Sequence, residues 1–365
     1  MGNKKVRVIA HYLPQFHPIP ENDIWWGKGF TEWTNVGKAT PLFKGHYQPR
    51  VPADLGYYDL RLPEARIAQA ELAREYGVEG FCYWHYWFGN GKRLLERPFN
   101  EVLETKQPDF PFCLAWANHS WLDKQFNKEG GDKLLIEQLY PGEEDYTNHF
   151  YTVLPAFRDE RYIRIDDKPL FMIYNPLALP DVESFIVLWQ KLARENGLEK
   201  GIYFVTQTHI AEDYKVLLNK GFDGVSIIRL FHFLKHDYSL FRRAYIKLMR
   251  VAFKRGQIYQ YSDAMKYFSG EEDALECCFP TIIPNWDHSP RSGRAGHIII
   301  NSTPELFKKH VKVAFNKVIH KEEQHRLVFL RSWNEWGEGN YVEPDLKFGR
   351  GYLEALKEAI QEFKD

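Results

Sequence analysis

Short, almost continuously apolar runs alternate along the chain with longer stretches in which apolar residues recur every three or four positions. The short runs are typical of parallel strands covered on both faces, and the longer stretches of amphipathic helices. We predict eight strands, at residues 6–12, 79–87, 111–117, 169–174, 202–208, 223–228, 279–286 and 327–332. We predict helices between them, at residues 63–77, 92–105, 144–158, 181–196, 211–219, 303–318 and 353–363.

Eight strands that alternate with helices predict an α/β fold of the (β/α)8 TIM barrel type. We expect a single catalytic domain over residues 1–365, with residues 162–169 forming a hairpin before the fourth strand. Long loops are expected at the C-terminal face of the barrel, at residues 13–62, 119–142 and 230–262. An open doubly wound sheet would show the same alternation, but no glycine-rich dinucleotide fingerprint follows the first strand and no Walker motif occurs.

The charges nearly cancel, with 48 Lys and Arg against 49 Asp and Glu. This balance gives no basic surface for nucleic acid or an anionic membrane. No apolar run reaches the roughly 18 residues of a membrane span, and the first residues lack a signal-peptide core. We therefore expect a cytoplasmic protein; a periplasmic location would require a signal that has been removed. The four cysteines lack metal-binding or redox spacing, which favours a reduced chain.

Two carboxylates follow the last predicted strand, at the end where barrel enzymes carry their active sites. Glu335 and Glu338 are three positions apart, beside Trp333 and Trp336. On a helical turn this offset places side chains about 5–6 Å apart at Cβ. Acid/base catalysis at a glycosidic bond requires such a carboxylate pair, and nearby tryptophans can raise a carboxyl pKa by desolvation. The alternative is that both glutamates are surface residues that cap the last helix.

Aromatic residues also lie beside polar residues at the other strand ends and in the first long loop, and the chain contains 11 Trp and 21 Tyr. Sugars present apolar C–H faces and hydroxyl edges, and this mixture complements both. The tryptophans of the first loop could instead only pack that loop over the barrel. The predicted substrate-binding residues are His11, Tyr12, Trp25, Trp26, Glu32, Trp33, Trp84, His85, Trp116, Asn118, Tyr174, Trp286, Trp333, Asn334 and Trp336.

Several histidines near strand ends raise a second hypothesis, a metal-dependent barrel hydrolase. The relevant residues are His11, His85, His119, His209, His232 and His288. Against this hypothesis, no H-x-H pair ends the first strand, and the fourth ends in Tyr174 and Asn175 instead of a bridging lysine or carboxylate. We therefore predict no metal site and no cofactor.

Ordered blocks along the whole chain resemble the WbsX-like family. They are H-Y-L-P-Q-F-H-P at 11–18, W-W-G-K-G-F-T-E-W-T-N-V at 25–36, G-H-Y-Q-P at 45–49, D-L-G-Y-Y-D at 54–59, G-F-C-Y-W-H-Y-W-F at 80–88, L-A-W-A-N at 114–118 and S-W-N-E-W-G-E-G at 332–339. That family is met in gene regions for surface polysaccharides and carries the label of a glycosyltransferase. Its barrel is related to glycoside hydrolase family 99, the endo-α-mannosidase and endo-mannanase group.

The resemblance implies a retaining mechanism in which the sugar's own 2-hydroxyl displaces the leaving group. Glu335 would be the base for that hydroxyl, and Glu338 the general acid and then the base for water. Family 99 commonly has histidine where this chain has Gly337, so this part of the site differs. We predict a retaining (endo-)glycoside hydrolase of a bacterial polysaccharide or O-antigen-type glycan. The alternative is a glycosyltransferase or transglycosylase of lipopolysaccharide or surface-polysaccharide biosynthesis, although no nucleotide-binding fold or persuasive D-x-D motif supports it.

Overall fold

The eight apolar runs form eight parallel strands that close into a barrel, which confirms the predicted fold class. The structure is a computed structural model that describes residues 6–123, 133–236 and 257–363. The barrel strands are β1 Arg7–Tyr12, β2 Gly80–Trp87, β3 Phe112–Trp116, β4 Lys168–Ile173, β5 Tyr203–Thr208, β6 Gly224–Ile227, β7 Cys278–Ile282 and β8 Leu327–Leu330. The ring closes because Ile9 of β1 pairs with Gly80 of β2 on one side and with Phe329 of β8 on the other.

Within the described residues, seven helices follow barrel strands on the outside of the barrel, close to the predicted positions. They are α1 Pro63–Glu75, α2 Arg97–Thr105, α3 Glu143–Phe157, α4 Val182–Glu195, α5 Tyr214–Asn219, α6 Pro304–Val318 and α7 Gly351–Glu362. The start of α6 is set locally, since Pro304 occupies its first turn and the Thr303 hydroxyl accepts a hydrogen bond from the N–H of Leu306 at 3.3 Å. Within the described ranges, no helix combines the length and apolar character needed to cross a bilayer.

The predicted hairpin before β4 is also present. Arg164–Ile165 pairs antiparallel with the first residues of β4, and the two turn residues Asp166 and Asp167 have φ of 52° and 65°. Positive φ at both central positions is what a tight two-residue hairpin turn requires.

The connections between the barrel strands and helices, most of all the long loops at the C-terminal ends of the strands, contain short elements of their own. The short helices are Pro20–Trp26, Glu32–Gly37, Phe233–His236, Tyr261–Ala264 and Ser289–Ser292, with 3-10 turns at Pro176–Ala178, Ala211–Asp213, Met265–Tyr267, Glu272–Ala274, Gly293–Ala295, Glu323–His325 and Trp336–Glu338. The short strands are Arg93–Leu94, Trp121–Asp123, Lys133–Ile136, Gln257–Gln260, Trp286–Asp287, His297–Ile300, Asn334–Glu335 and Asn340–Tyr341. Residues 124–132 and 237–256 of the predicted loops lie outside the described residues.

Two apolar clusters hold this arrangement together. The larger fills the barrel and the layer between its strands and the outer helices. The smaller one lies in the loops after β6 and β7, where Phe233, Tyr261, Ile283 and Trp286 pack together. This second cluster anchors the loop that carries the short helix Ser289–Ser292 to the rim of the barrel. The four cysteines are free thiols.

Candidate active site

The segment after β8 directs two glutamates into one cavity. The N–H of Glu335 donates to the hydroxyl of Ser332 at 2.9 Å, and that hydroxyl donates to the carbonyl of Asn340 at 2.7 Å. A short helical turn, Trp336–Glu338, then brings Glu338 to the same wall. Hydrogen bonds from one buried serine thus fix the backbone on which both carboxylates are mounted.

The cavity lies at the C-terminal end of the barrel and has a volume of about 640 Å³. This volume is within the usual range for small-molecule sites, and the position is where barrel enzymes carry out chemistry. Part of the predicted site lines it: Trp26, Glu32, Trp84, Tyr174, Glu335 and Glu338.

One arginine from another loop joins three carboxylates in this wall. Arg291, on the short helix after β7, approaches Glu32 at 2.9 Å through Nε, Glu338 at 2.7 Å through Nη1 and Glu335 at 3.3 Å through Nη2. Charge-assisted contacts of this kind are stronger than neutral hydrogen bonds. Arg291 therefore holds together carboxylates from the first loop and from the segment after β8.

The two glutamates after β8 have their pKa values shifted in opposite directions. The pKa of Glu335 is raised to about 7, chiefly by burial and then by the charge of Glu338, while the charge of Arg291 acts to lower it. Burial also acts to raise the pKa of Glu338, but Arg291 and then His288 outweigh it, so the Glu338 pKa is lowered. In the free site the proton shared by this pair therefore resides mainly on Glu335.

Aromatic rings also line the cavity beside Glu335. The Trp84 indole N–H donates to Glu335 Oε1 at 3.0 Å, which fixes both the ring and the carboxylate. His11 stacks behind Trp84, with centroids 4.8 Å apart and planes within 5°. Tyr174 packs edge-on against Trp84 at 5.5 Å. The Trp84 ring is thus held rigidly beside the carboxylate.

Gly337 leaves the space that Glu32 and Arg291 occupy. A Cβ at this position would overlap Oε1 of Glu32 and would lie 3.0 Å from Nε of Arg291. Any other residue at 337 would thus displace the Glu32 carboxylate. The contact between Glu32 and Arg291 therefore requires glycine at this position, where the family 99 motif commonly has histidine.

Other residues predicted to bind sugar point away from the cavity, into a buried cluster around Glu343. Its carboxylate accepts hydrogen bonds from the Trp336 indole N–H at 2.6 Å, the Tyr58 hydroxyl at 2.9 Å and the Gln69 amide at 2.7 Å. The Tyr12 hydroxyl donates to the same glutamine at 2.7 Å. These five side chains, the Glu343 cluster, support the segment after β8 from behind.

Predicted asparagines and histidines serve as further supports. Asn334 accepts the N–H of Leu13 at 2.7 Å and donates to its carbonyl at 3.0 Å, so it clamps the segment after β1. Asn118 makes the equivalent pair of bonds with the backbone of Asn175, both at 2.7 Å. His85 contacts a second buried histidine, His149, through their Nε2 atoms at 2.8 Å.

Other side chains predicted to contact sugar do not line this cavity and pack on protein neighbours instead. They are His11, Tyr12, Trp25, Trp33, His85, Trp116, Asn118, Trp286, Trp333, Asn334 and Trp336. The indole of Trp116, for example, donates to the carbonyl of Trp87 at 2.9 Å, and that of Trp33 donates to the carbonyl of Tyr58 at 2.8 Å.

The histidines near strand ends do not converge. Burial and the charge of Arg331 lower the pKa of His11 to about 3, and its Nε2 contacts Gln207 at 2.9 Å. Burial likewise lowers the pKa of His85 to about 3. Across the described ranges, no three His, Cys, Asp or Glu side chains are grouped as they would be around a metal ion.

Sequence reasoning missed the two arginines of the cavity wall, Arg291 and Arg331. Arg331 directly follows β8, and a charged residue at that position was an available signal. Arg291 had only a weak signal, its place in the loop after β7. His119 and His288, two of the histidines predicted near strand ends, also line the cavity.

Solved structures share this barrel. The GH99 endo-alpha-mannosidase from Bacteroides thetaiotaomicron aligns with a TM-score of 0.58 and 14% identity, over 98% of this chain and 97% of that chain. A structure described as a glycoside hydrolase-like protein aligns with a TM-score of 0.63 and 16% identity, over 98% and 94% of the two chains. At these identities the likeness shows the fold.

Residues 8–356 match the family described as Glycosyltransferase WbsX. The chain has a barrel like that of glycoside hydrolase family 99. It belongs to the WbsX family, as the motif blocks predicted. The relative named "Uncharacterized protein WxcX", from Xanthomonas campestris pv. campestris, is 35% identical over 359 residues, which are 98% of this chain and 50% of the relative. The chain thus spans about half the length of the curated relatives that it matches.

Proposed function

We propose that this chain cleaves internal glycosidic bonds of a bacterial surface polysaccharide or O-antigen-type glycan, as a retaining glycoside hydrolase. The observation that carries the proposal is the pair Glu335 and Glu338. They share one wall of the barrel cavity, both contact Arg291, and their pKa values are shifted in opposite directions. Two carboxyl groups whose environments separate their pKa values suit acid/base chemistry.

The proposed steps follow the family 99 resemblance. Glu335 takes the proton of the sugar 2-hydroxyl while that oxygen attacks the anomeric carbon, and Glu338 gives a proton to the departing glycosidic oxygen. Glu338 then takes a proton from water, which opens the 1,2-anhydro ring at the anomeric carbon, and Glu335 returns its proton to the 2-oxygen. Two displacements at the same carbon retain its configuration.

These roles require a proton on Glu338, whereas the free site favours a proton on Glu335. Because Arg291 is the cation that most lowers the Glu338 pKa, substrate binding must move Arg291 away from Glu338 before the first step. The same movement clears the space between the carboxylates that the anomeric carbon must enter.

The rigid aromatic wall supports a carbohydrate substrate. Trp84 and Tyr174 line the cavity beside Glu335, and Trp26 lines it farther along the first loop. Their rings complement the C–H faces of sugars. Trp84 is hydrogen-bonded to Glu335, so a sugar on this ring would lie beside a catalytic oxygen.

A second candidate is glycosyl transfer, because the family itself is described as a glycosyltransferase. In the same chemistry an acceptor hydroxyl would replace water in the second step. Consumption of a nucleotide sugar without any water-dependent cleavage would favour this candidate over hydrolysis. A metal-dependent hydrolase is distinguished by a chelator, which would abolish turnover only in that case.

The proposal is tested with Glu335→Gln and Glu338→Gln, assayed on mannans, rhamnans and O-antigen-type glycans. We expect turnover to fall by about 10²–10⁴-fold in each variant, since each loses one proton-transfer group. Glu354→Gln, an exposed change on α7, is the control with wild-type turnover. If either catalytic variant kept wild-type turnover on a responsive glycan, the assignment would be wrong. NMR of the first-formed product must show the retained anomer.

A further inference from the structure

Two arginines line the cavity, and they differ in what they contact. Arg291 is in contact with three carboxylates, as described above. The guanidinium of Arg331 donates to no described residue, although it lines the same cavity and its Nη1 is buried. Its neighbour below is the ring of Trp286, 5.9 Å from the guanidinium carbon. Because the side chain is only half-buried, the part of the guanidinium that is not buried faces the cavity.

Arg331 is half-buried, and its buried Nη1 has no hydrogen-bonding partner. A polar group left in this state is costly, so such a guanidinium in a binding cavity points to a partner supplied by the ligand. The planar guanidinium fork matches the two oxygens of a carboxylate or phosphate, and charge-assisted bonds of this kind are about twice as strong as neutral ones. A single sugar hydroxyl would occupy only one of these donors.

We propose that Arg331 forms a subsite for an anionic group on the glycan, either the carboxylate of a uronic-acid-type sugar or a phosphate ester. The subsite lies beside the catalytic pair, because Arg331 lines the same cavity and its charge acts on both Glu335 and Glu338. The inference rests on the proposed carbohydrate substrate, and it does not depend on whether the bond is hydrolysed or transferred. It adds a charge requirement to the substrate.

The lysine at the mouth of the cavity provides a matched comparison. Lys38 also lines the cavity, but it is exposed, so water can satisfy its ammonium group. If general positive charge attracted the ligand, removal of Lys38 and of Arg331 would have similar effects. If the guanidinium of Arg331 binds the anion, only the change at Arg331 affects binding.

The test is equilibrium binding by calorimetry at low salt. The ligands are glucuronic, galacturonic and mannuronic acids, their uncharged methyl esters, and the 6-phosphates of the parent hexoses beside the hexoses themselves. We expect at least one charged sugar to bind about tenfold or more tightly than its neutral partner. Acids and phosphates in separate titrations distinguish the two sources of negative charge.

Arg331→Met is expected to abolish this preference, Arg331→Lys to retain part of it, and Lys38→Met to leave it within about twofold. Chemical unfolding checks that Arg331→Met is folded, and we expect it to be at least as stable as wild type. Equal affinity for charged and neutral sugars in wild type would overturn the proposal, and so would a preference that persists in Arg331→Met. Free monosaccharides contain no bond to cleave, so this result is independent of the glutamine variants.

Discussion

Two buried glutamates in the same segment, Glu335 and Glu343, have similar pKa values but different surroundings. Burial raises the pKa of each to about 7. Glu335 faces the cavity and contacts Arg291 and the Trp84 indole, whereas Glu343 lies in its cluster and accepts bonds from three neutral donors. A raised pKa therefore reports burial, and access to a ligand separates the candidate catalytic group from the structural one.

The largest expected difference between the two glutamates is in stability. Glu343→Ala leaves three buried donors without an acceptor, and we expect the free energy of unfolding to fall by about 3–5 kcal/mol. Glu335→Ala removes a carboxylate that borders the cavity, where water can replace it, and we expect a loss of less than about 1 kcal/mol. Urea unfolding monitored by tryptophan fluorescence measures both values. Similar losses in the two variants would show that the supporting role assigned to the Glu343 cluster is wrong.

The pH dependence of stability sharpens the comparison. The folded protein keeps a proton on Glu343 up to about pH 7, while the unfolded chain releases it near its usual value of 4.5. The native state thus binds more protons between these pH values, so this group makes folding less favourable as pH rises from 4.5 to 7 and above. The buried histidines with lowered pKa, such as His11 and His85, act in the opposite direction.

The informative measurement is therefore the difference between Glu343→Gln and wild type. Because the glutamine cannot ionise, the variant should gain about 2–3 kcal/mol relative to wild type between pH 4.5 and pH 7.5. Urea unfolding at three pH values gives this difference, with Glu354→Gln as the exposed control. A difference that does not change with pH would mean that Glu343 ionises at its usual pH in the folded protein.

The barrel could be predicted from the sequence because its signals are local. Apolar runs define the strands, and residues such as Pro304 and Thr303 define where a helix begins. The carboxylate pair was predicted for the same reason, since it directly follows β8. The directions of Trp336 and Tyr12 were not predictable, because the partners that orient them, Glu343 and Gln69 respectively, are recognised only after folding.

The contacts between loops were the hardest part of the site to predict. Glu32 and Arg291 come from opposite ends of the chain and meet in the space that Gly337 leaves empty. Their contact depends on how two long loops pack at the rim, and no periodicity in the sequence records it. The near-zero net charge of the whole chain also gives no sign that Arg331 lines the cavity without donating a hydrogen bond to any described residue.

The smallest expected effect concerns Arg291, whose positive charge contacts the glutamates of the cavity and has no counterpart among the donors to Glu343. Arg291 lowers the pKa of both Glu335 and Glu338, so Arg291→Met should move both limbs of the pH profile of kcat/KM to higher pH. Each unit of displacement lowers kcat/KM about tenfold at a fixed pH on the acidic limb. Arg291→Lys keeps the charge and should show a smaller displacement, and Arg294→Met, at an exposed residue outside the cavity wall, should show none. If the limbs of Arg291→Met stayed in place while kcat/KM fell uniformly, Arg291 would act by holding the loops together, and its charge would not set the protonation of the pair.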